Sequence, residues 1–272
     1  IALEPLDETS SRQLVANLLE IEDLPEQVRW LILKKAEGNP FFVEEVIRSL
    51  LDAKLVVRQD NHWRATSEIE NIKVPDTLVG VIEARLDRLD EESKRTAQTA
   101  AVIGREFQYE ILNDVSDAKP HLSDSLETLQ RRELIREKSH PPSAIYLFKH
   151  ALTQETAYGS LLLSKRRELH KRVAECLERN LPERVNDIAR NFLEAQEEAR
   201  GLPYLVQAGE NAARAYSIPE AIGYFSRAVE IVQKVTYPEM ARRAYEGLGS
   251  SLMMSYDVPH ALPHFQAMVE FG

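Results

Sequence analysis

Apolar residues recur at helical spacing along most of this chain, interrupted in a few places by alternating, strand-like runs. Leu14, Val15, Leu18 and Leu19 share one face between about Asp7 and Glu20, and Thr9 or Ser10 can cap that helix. Val28, Leu31 and Ile32 do the same from Pro25 to about Ala36. Gly38-Asn39-Pro40 then breaks the pattern. Gly38 accepts the left-handed conformation that ends a helix, Asn39 can cap the next one, and Pro40 suits its first position because its φ is already set. That helix is predicted over Phe41 to Leu51, with Glu44 and Glu45 in its first turn, near the positive end of its dipole. Leu55-Val56-Val57-Arg58 and His62-Trp63-Arg64 flank Gln59-Asp60-Asn61 and predict a short β-hairpin. Residues 66–74 read as a polar linker.

Helical spacing resumes after Val74-Pro75-Asp76 with Leu78, Val81, Ile82, Leu86 and Leu89. Asp90 is placed to cap a helix through Val102. Gly104-Arg105-Glu106-Phe107 reads as a turn, followed by a short helix to about Val115 and another from Leu122 to Glu133. Leu134-Ile135-Arg136 and Ile145-Tyr146-Leu147-Phe148 predict two strands joined by a proline-containing loop. This order of helices, strand, loop and strand is that of a winged helix.

Beyond His150 the pattern is helical throughout. Ser164 is expected to cap a helix whose inner face is Leu169, Val173, Cys176 and Leu177. Further on, Gly209, Ala221, Phe225 and Ala228 are matched 40 residues later by Gly249, Ala261, Phe265 and Met268. Small residues that let two helices close, with an aromatic filling the gap, are the tetratricopeptide pattern. The usual period is about 34, so the longer one implies longer helices or turns. The fold class expected is therefore mainly α, in three parts. These are a helical lid with a hairpin over 1–73, a winged helix over 74–163, and a helical connector with tetratricopeptide-like repeats over 164–272.

Composition narrows the functions available. The net charge is −10. The stretch 151–180 has six bases against four acids, and every other part is net acidic, so the basic face of a nucleic-acid reader is not expected. Pro120 to Lys138, where a reading helix would lie, balances four acids with four bases. The absence of a long apolar run argues against a membrane span. A single cysteine, Cys176, excludes an intramolecular disulfide and fits a cytoplasmic protein. The chain opens on Ile1-Ala2-Leu3-Glu4-Pro5-Leu6, which reads as the tail of a strand, and this suggests a missing N-terminal part.

Several runs together resemble one family, the signal-transducing ATPases with numerous domains (STAND). The likeness is to the ATPase modules attached to class III adenylate/guanylate cyclases, kinases and LuxR-type regulators. The matching residues begin with Ala36-Glu37-Gly38-Asn39-Pro40-Phe41-Phe42-Val43-Glu44-Glu45 and Val74-Pro75-Asp76-Thr77-Leu78. They continue with Ala84-Arg85-Leu86-Asp87-Arg88-Leu89, Ala101-Val102-Ile103-Gly104-Arg105-Glu106-Phe107 and Phe148-Lys149-His150-Ala151-Leu152. The resemblance implies a lid, winged helix and repeat arm that follow a P-loop domain. No glycine here is followed by lysine, so the phosphate-gripping loop would have to precede Ile1 and act as a partner in cis. It also implies that Pro40 packs on the nucleotide base, supported by the Gly38-Asn39 turn. His150, at the start of the helix after the second strand, would reach the β-phosphate. Ala151 departs from the Met-His-Asp pattern of the plant members. ATP or ADP with Mg would belong to the parent protein, with no cofactor in this chain alone. The arm over 181–272 would sense a protein or small-molecule effector.

Blander readings stand beside these. Pro40 also suits a plain helix start, and His150 a plain helix cap. Lys165-Arg166-Arg167 with Lys171 and Arg172 reads as a solvated helix face. His260 and His264 lack the partners of a metal site, and Cys176 falls on an apolar stripe as a core thiol. No constellation for hydrolysis or transfer is found, so the chain alone is not expected to be an enzyme. Two rival functions remain. One is a repeat scaffold without nucleotide, the other a DNA-binding regulator.

Overall fold

The computed structural model describes residues 6, 7, 9–11, 13, 14, 26–59, 62–71, 74–117, 119–139, 144–234 and 237–269. The expected strand at the chain's start, most of the helix expected over 7–20, and the proline-containing part of the wing loop fall outside them. The protein is mainly α, with two small antiparallel sheets among the described residues. Its contacts divide it into two units, Ile1–Leu161 and Leu162–Gly272.

The first unit opens with α1 (Glu26–Ala36) and α2 (Pro40–Asp52), followed by the hairpin of β1 (Val56–Gln59) and β2 (His62–Ala65). The expected linker is not loose. Ser67–Asn71 forms a 3-10 turn, because Ile69 is buried in the same apolar cluster as Ile32, Val43 and Leu50. One apolar residue in a polar stretch is enough to pin it. Next come α3 (Leu78–Asp87), α4 (Glu91–Ile103), β3 (Glu106–Gln108), α5 (Tyr109–Val115), α6 (Leu122–Arg131), β4 (Ile135–Ser139), β5 (Ile145–Phe148) and α7 (Ala151–Gly159). Thr77 caps α3 through Gly80 N at 3.1 Å, and Asp90 caps α4 through Ser93 N at 2.9 Å. The second sheet runs β3-β5-β4. Its third strand lies where a turn was expected. Glu106 pairs with Leu147 and Gln108 with Ile145, while Phe107 is buried between them. The helix expected to reach Glu133 stops at Arg131, since Glu133 takes the left-handed conformation (φ 53°) and Leu134 N donates back to Leu129 O at 3.0 Å.

Among the described residues the second unit is three helical hairpins: α8 (Leu163–Asn180) with α9 (Val185–Glu194), α10 (Glu198–Arg214) with α11 (Ile218–Val232), and α12 (Pro238–Met254) with α13 (Val258–Val269). Ser164 lies inside α8, whose cap position is Leu162. The Gly–Phe repeat is a physical contact. A Cβ on Gly209 would stand 2.8 Å from the ring of Phe225, and one on Gly249 would stand 2.9 Å from Phe265. The first hairpin carries the same set 33 residues earlier, as Cys176, Ile188 and Phe192, all buried. The longer second period has a simple origin. α11 has 15 residues where α9 has 10, and the connector after it has five residues (233–237) where the earlier one has three (195–197). Tyr216 (φ 59°) and Tyr256 (φ 62°) close the turns of the second and third hairpins in the left-handed conformation, at a cost of roughly 1 kcal/mol each.

Candidate functional site

The site begins with a cap. Asn39 is extended, and its Oδ1 accepts from Phe41 N at 3.0 Å and Phe42 N at 3.4 Å. Gly38 sits at φ 77°, and Leu6 N donates to its carbonyl at 2.8 Å. Pro40 is the first residue of α2 and is exposed. The cap holds Phe41 in a fixed direction, worth about 1 kcal/mol of helix stability.

Phe41 leads directly to His150. The two rings lie 3.9 Å apart between centroids, tilted by 40°. His150 occupies the N-cap of α7 but does not cap it with its side chain, and its Nε2 is buried without a hydrogen bond to any described residue. The turn at 38–40 and His150 are therefore neighbours, although 110 residues separate Pro40 from His150 in sequence. Burial pushes the His150 imidazole below its usual pKa. Glu45 and Glu44 pull it back only in part, while Lys149 and Arg105 add to the lowering.

Glu44 and Glu45 are not first-turn residues. With Pro40 as the first residue of α2, they fall in its second turn, and the first turn holds no acid. Each meets a cation from elsewhere instead. Lys149 Nζ donates to Glu44 and, at 3.0 Å, to Glu133, which also holds Arg48 at 2.6 Å. Burial raises the Glu44 carboxyl, but the Lys149 hydrogen bond and charge outweigh it and leave the group below its usual pKa.

Arg85 is almost fully buried. It donates from Nη1 to Glu45 and from Nε to Asp52 at 2.9 Å, and its Nη2 donates to the Arg132 carbonyl. Asp52 also binds Arg132 at 2.8 Å, and Arg88 donates to Ser49 at 2.7 Å. Burial disfavours the Arg85 charge, yet Glu45 and Asp52 more than restore it and the pKa is raised. Three runs that lie far apart in sequence, 39–45, 85–88 and 148–150, thus meet at one junction. Sequence reasoning singled out Pro40 and His150 and did not foresee that Phe41, Glu44, Glu45, Arg85 and Lys149 make the contacts of this junction. All five lie in the runs that carry the resemblance, and Arg85 also interrupts the otherwise apolar face of α3.

The remaining candidates are quieter. Lys165 pairs with Glu168, Lys171 with Glu197 and Arg172 with Glu168, so the basic run forms ion pairs along α8 and beside it. His260 Nδ1 lies 2.7 Å from Asp257, and His264 stacks on Tyr245. Among the described residues no group of three or more His, Cys, Asp and Glu could hold a metal ion, and no helix is long and apolar enough to cross a membrane. A groove of about 480 Å³ runs between α10 and α12, walled by Glu210 and Arg214 on one side and Arg243 and Glu246 on the other. Arg243 clamps Glu210 with two bonds of 2.9 Å across it.

Parts of the chain are similar to known proteins. A family model described as a domain of unknown function (DUF8739) matches residues 7–64, which include the Gly38-Asn39-Pro40 turn and α2. Uncharacterized protein R02095 of Rhizobium meliloti (strain 1021) is 24% identical over 257 residues, covering 89% of this chain and 24% of that protein. Hybrid signal transduction histidine kinase G of Dictyostelium discoideum is 29% identical over 93 residues, 33% of this chain and 3% of that protein. The chain thus spans about a quarter or less of the length of these relatives. Among solved structures, the Signal Transduction ATPase with Numerous Domains (STAND) protein with a tetratricopeptide repeat sensor, PH0952 from Pyrococcus horikoshii, aligns with 99% of this chain and 48% of its own. The TM-score is 0.41 and the identity 13%.

Proposed function

We propose that this chain is the regulatory and sensing portion of a multidomain signal-transducing ATPase. In this reading the unit Ile1–Leu161 closes on a nucleotide held by a P-loop domain elsewhere in the protein, and the repeats sense a protein or small-molecule effector. The output would be a cyclase, a kinase or a transcription factor. The observation that carries the reading is the contact between Phe41 and His150, which brings the Asn39-Pro40 turn and the histidine to one place.

The residues fit a nucleotide as follows. Pro40 is exposed, so its ring is available to the face of a base. His150 Nε2 is a buried polar atom with no hydrogen-bond partner among the described residues, at a helix start whose free N–H groups favour an anion. ATP or ADP with Mg would supply the phosphate charge that makes closure depend on the nucleotide state. Because Nε2 is screened from solvent, reaching a phosphate requires the surface around Phe41 to open. Lys149 and Arg85 are committed to carboxylates, so their part is to hold α2 against α3 and α7, with no role in gripping phosphate. A change at the nucleotide would then be felt through α2, and an effector in the groove between α10 and α12 would bias the same equilibrium.

The test is nucleotide binding by the parent protein with its P-loop domain. Pro40→Ala and His150→Ala should each weaken ADP binding, the histidine change by about 10-fold or more, as expected for a hydrogen bond to a charged group. Unchanged affinity for both sinks the reading and leaves a repeat scaffold without a nucleotide role. Measurable ATP turnover by this chain alone would contradict the assignment of catalysis to the P-loop domain. Tight, sequence-selective DNA binding in a low-salt gel shift would assign the chain to transcriptional regulators instead.

A further inference from the structure

The ring of Phe225 meets glycines of two helices. An added Cβ would come within 2.8 Å of it at Gly209 of its own hairpin and within 2.4 Å at Gly247 of the next. Phe265 stands 40 residues on, and among the described glycines only Gly249 meets its ring. The same asymmetry runs along the whole helix. Val229 of α11 is 6% exposed in the apolar cluster that α11 shares with α12, while Val269, its counterpart in α13, is 71% exposed. Leu262 and Val258 are 59% and 52% exposed, whereas their counterparts Ile222 and Ile218 are partly buried. α13 also contains no acid, lysine or arginine, whereas α11 has Glu220, Arg227 and Glu230. A terminal repeat that faces water carries a polar outer surface; α13 does not.

We propose that the outer face of α13 is the seat of the first helix of a further repeat of the same 40-residue register. That helix carries a glycine, or at most an alanine, opposite Phe265, as α12 presents Gly247 to Phe225. The occupant follows from the repeat itself, since α11 packs against α12 in one apolar cluster, with Gly247 against Phe225. A second copy of this chain fits less well. Its α12 already spends Gly247 on Phe225, and its α13 has no glycine to place over Phe265.

The register makes the test direct. Gly272 is the 40-residue counterpart of Val232, so residues 233–254 appended after Gly272 place a second copy of α12 in step with the array. Thermal unfolding of the extended chain should rise by at least about 2–4 °C. The rise should vanish when the appended counterpart of Gly247 is leucine, and when Leu262 and Val269 are both lysine. An extension that leaves the melting temperature unchanged overturns the proposal. So does sedimentation showing that residues 1–272 form a dimer that Leu262→Lys with Val269→Lys converts to monomer, because the face would then belong to a second copy.

Discussion

Arg85 and Glu45 form an ion pair at 2.5 Å, with side chains 1% and 2% exposed, and they join α3 to α2 across 40 residues of sequence. Such a pair contributes little over a well-packed apolar replacement, but a lone survivor is costly. Arg85→Ala leaves Glu45 buried without its cation, while Asp52 keeps Arg132. It should lower unfolding free energy by about 3–5 kcal/mol in urea titration. Adding Glu45→Leu to Arg85→Met should recover a substantial part of that loss. Equal stability of Arg85→Ala and the parent chain would show that the pair is not sealed from water.

Acid should loosen the same junction at a second point. Glu44 has a folded pKa below its ordinary 4.5, so its contribution is complete above about that pH and is lost as pH falls through the lower folded value. Unfolding followed between pH 6 and pH 3 should show this decline, and Lys149→Met should flatten it. An unaltered profile in Lys149→Met would remove Lys149 as the cause.

The histidines predict a milder dependence, beginning at higher pH. Burial is the leading cause of a depressed pKa in both His150 and His170, where the Asn191 hydrogen bond opposes it only in part. The unfolded chain then binds more protons than the folded one just below pH 6.5, so stability falls as pH drops from about 7 towards 5. His150→Phe with His170→Gln should reduce that slope. A slope that survives both substitutions would place its origin in other groups.

In the repeats, Gly247→Ala drives a methyl group into the Phe225 ring, and overpacking of this kind costs roughly 1–3 kcal/mol. Phe225→Leu alone opens space and also destabilises. The double variant should be more stable than the sum of the two losses predicts, as read from a double-mutant cycle. Strict additivity would mean that the glycine and the ring do not share this space.

Much of this was legible because it is local or periodic. Asn39 caps α2 and Pro40 opens it through atoms two or three residues apart, and the Gly209–Phe225 contact announces itself by recurring as Gly249–Phe265. The partners of Glu44 and Glu45 were not legible. They sit 105 and 40 residues away, and two adjacent acids near a helix start have a sufficient local explanation in the helix dipole. β3 escaped for a different reason, because three residues are too few to display an alternation. His150 was chosen by resemblance, and only the fold supplied Phe41 as its neighbour.

The three acceptors of Arg85 come from Glu45, Asp52 and the Arg132 backbone, on both sides of the Lys73–Val74 step. Cutting or grafting the polypeptide at that step would leave each piece holding part of a buried charge cluster and no means to neutralise it. The smallest transplantable piece of the first unit is therefore one that carries residues 39 to 150 together. Swaps between relatives should succeed or fail according to whether they respect that span.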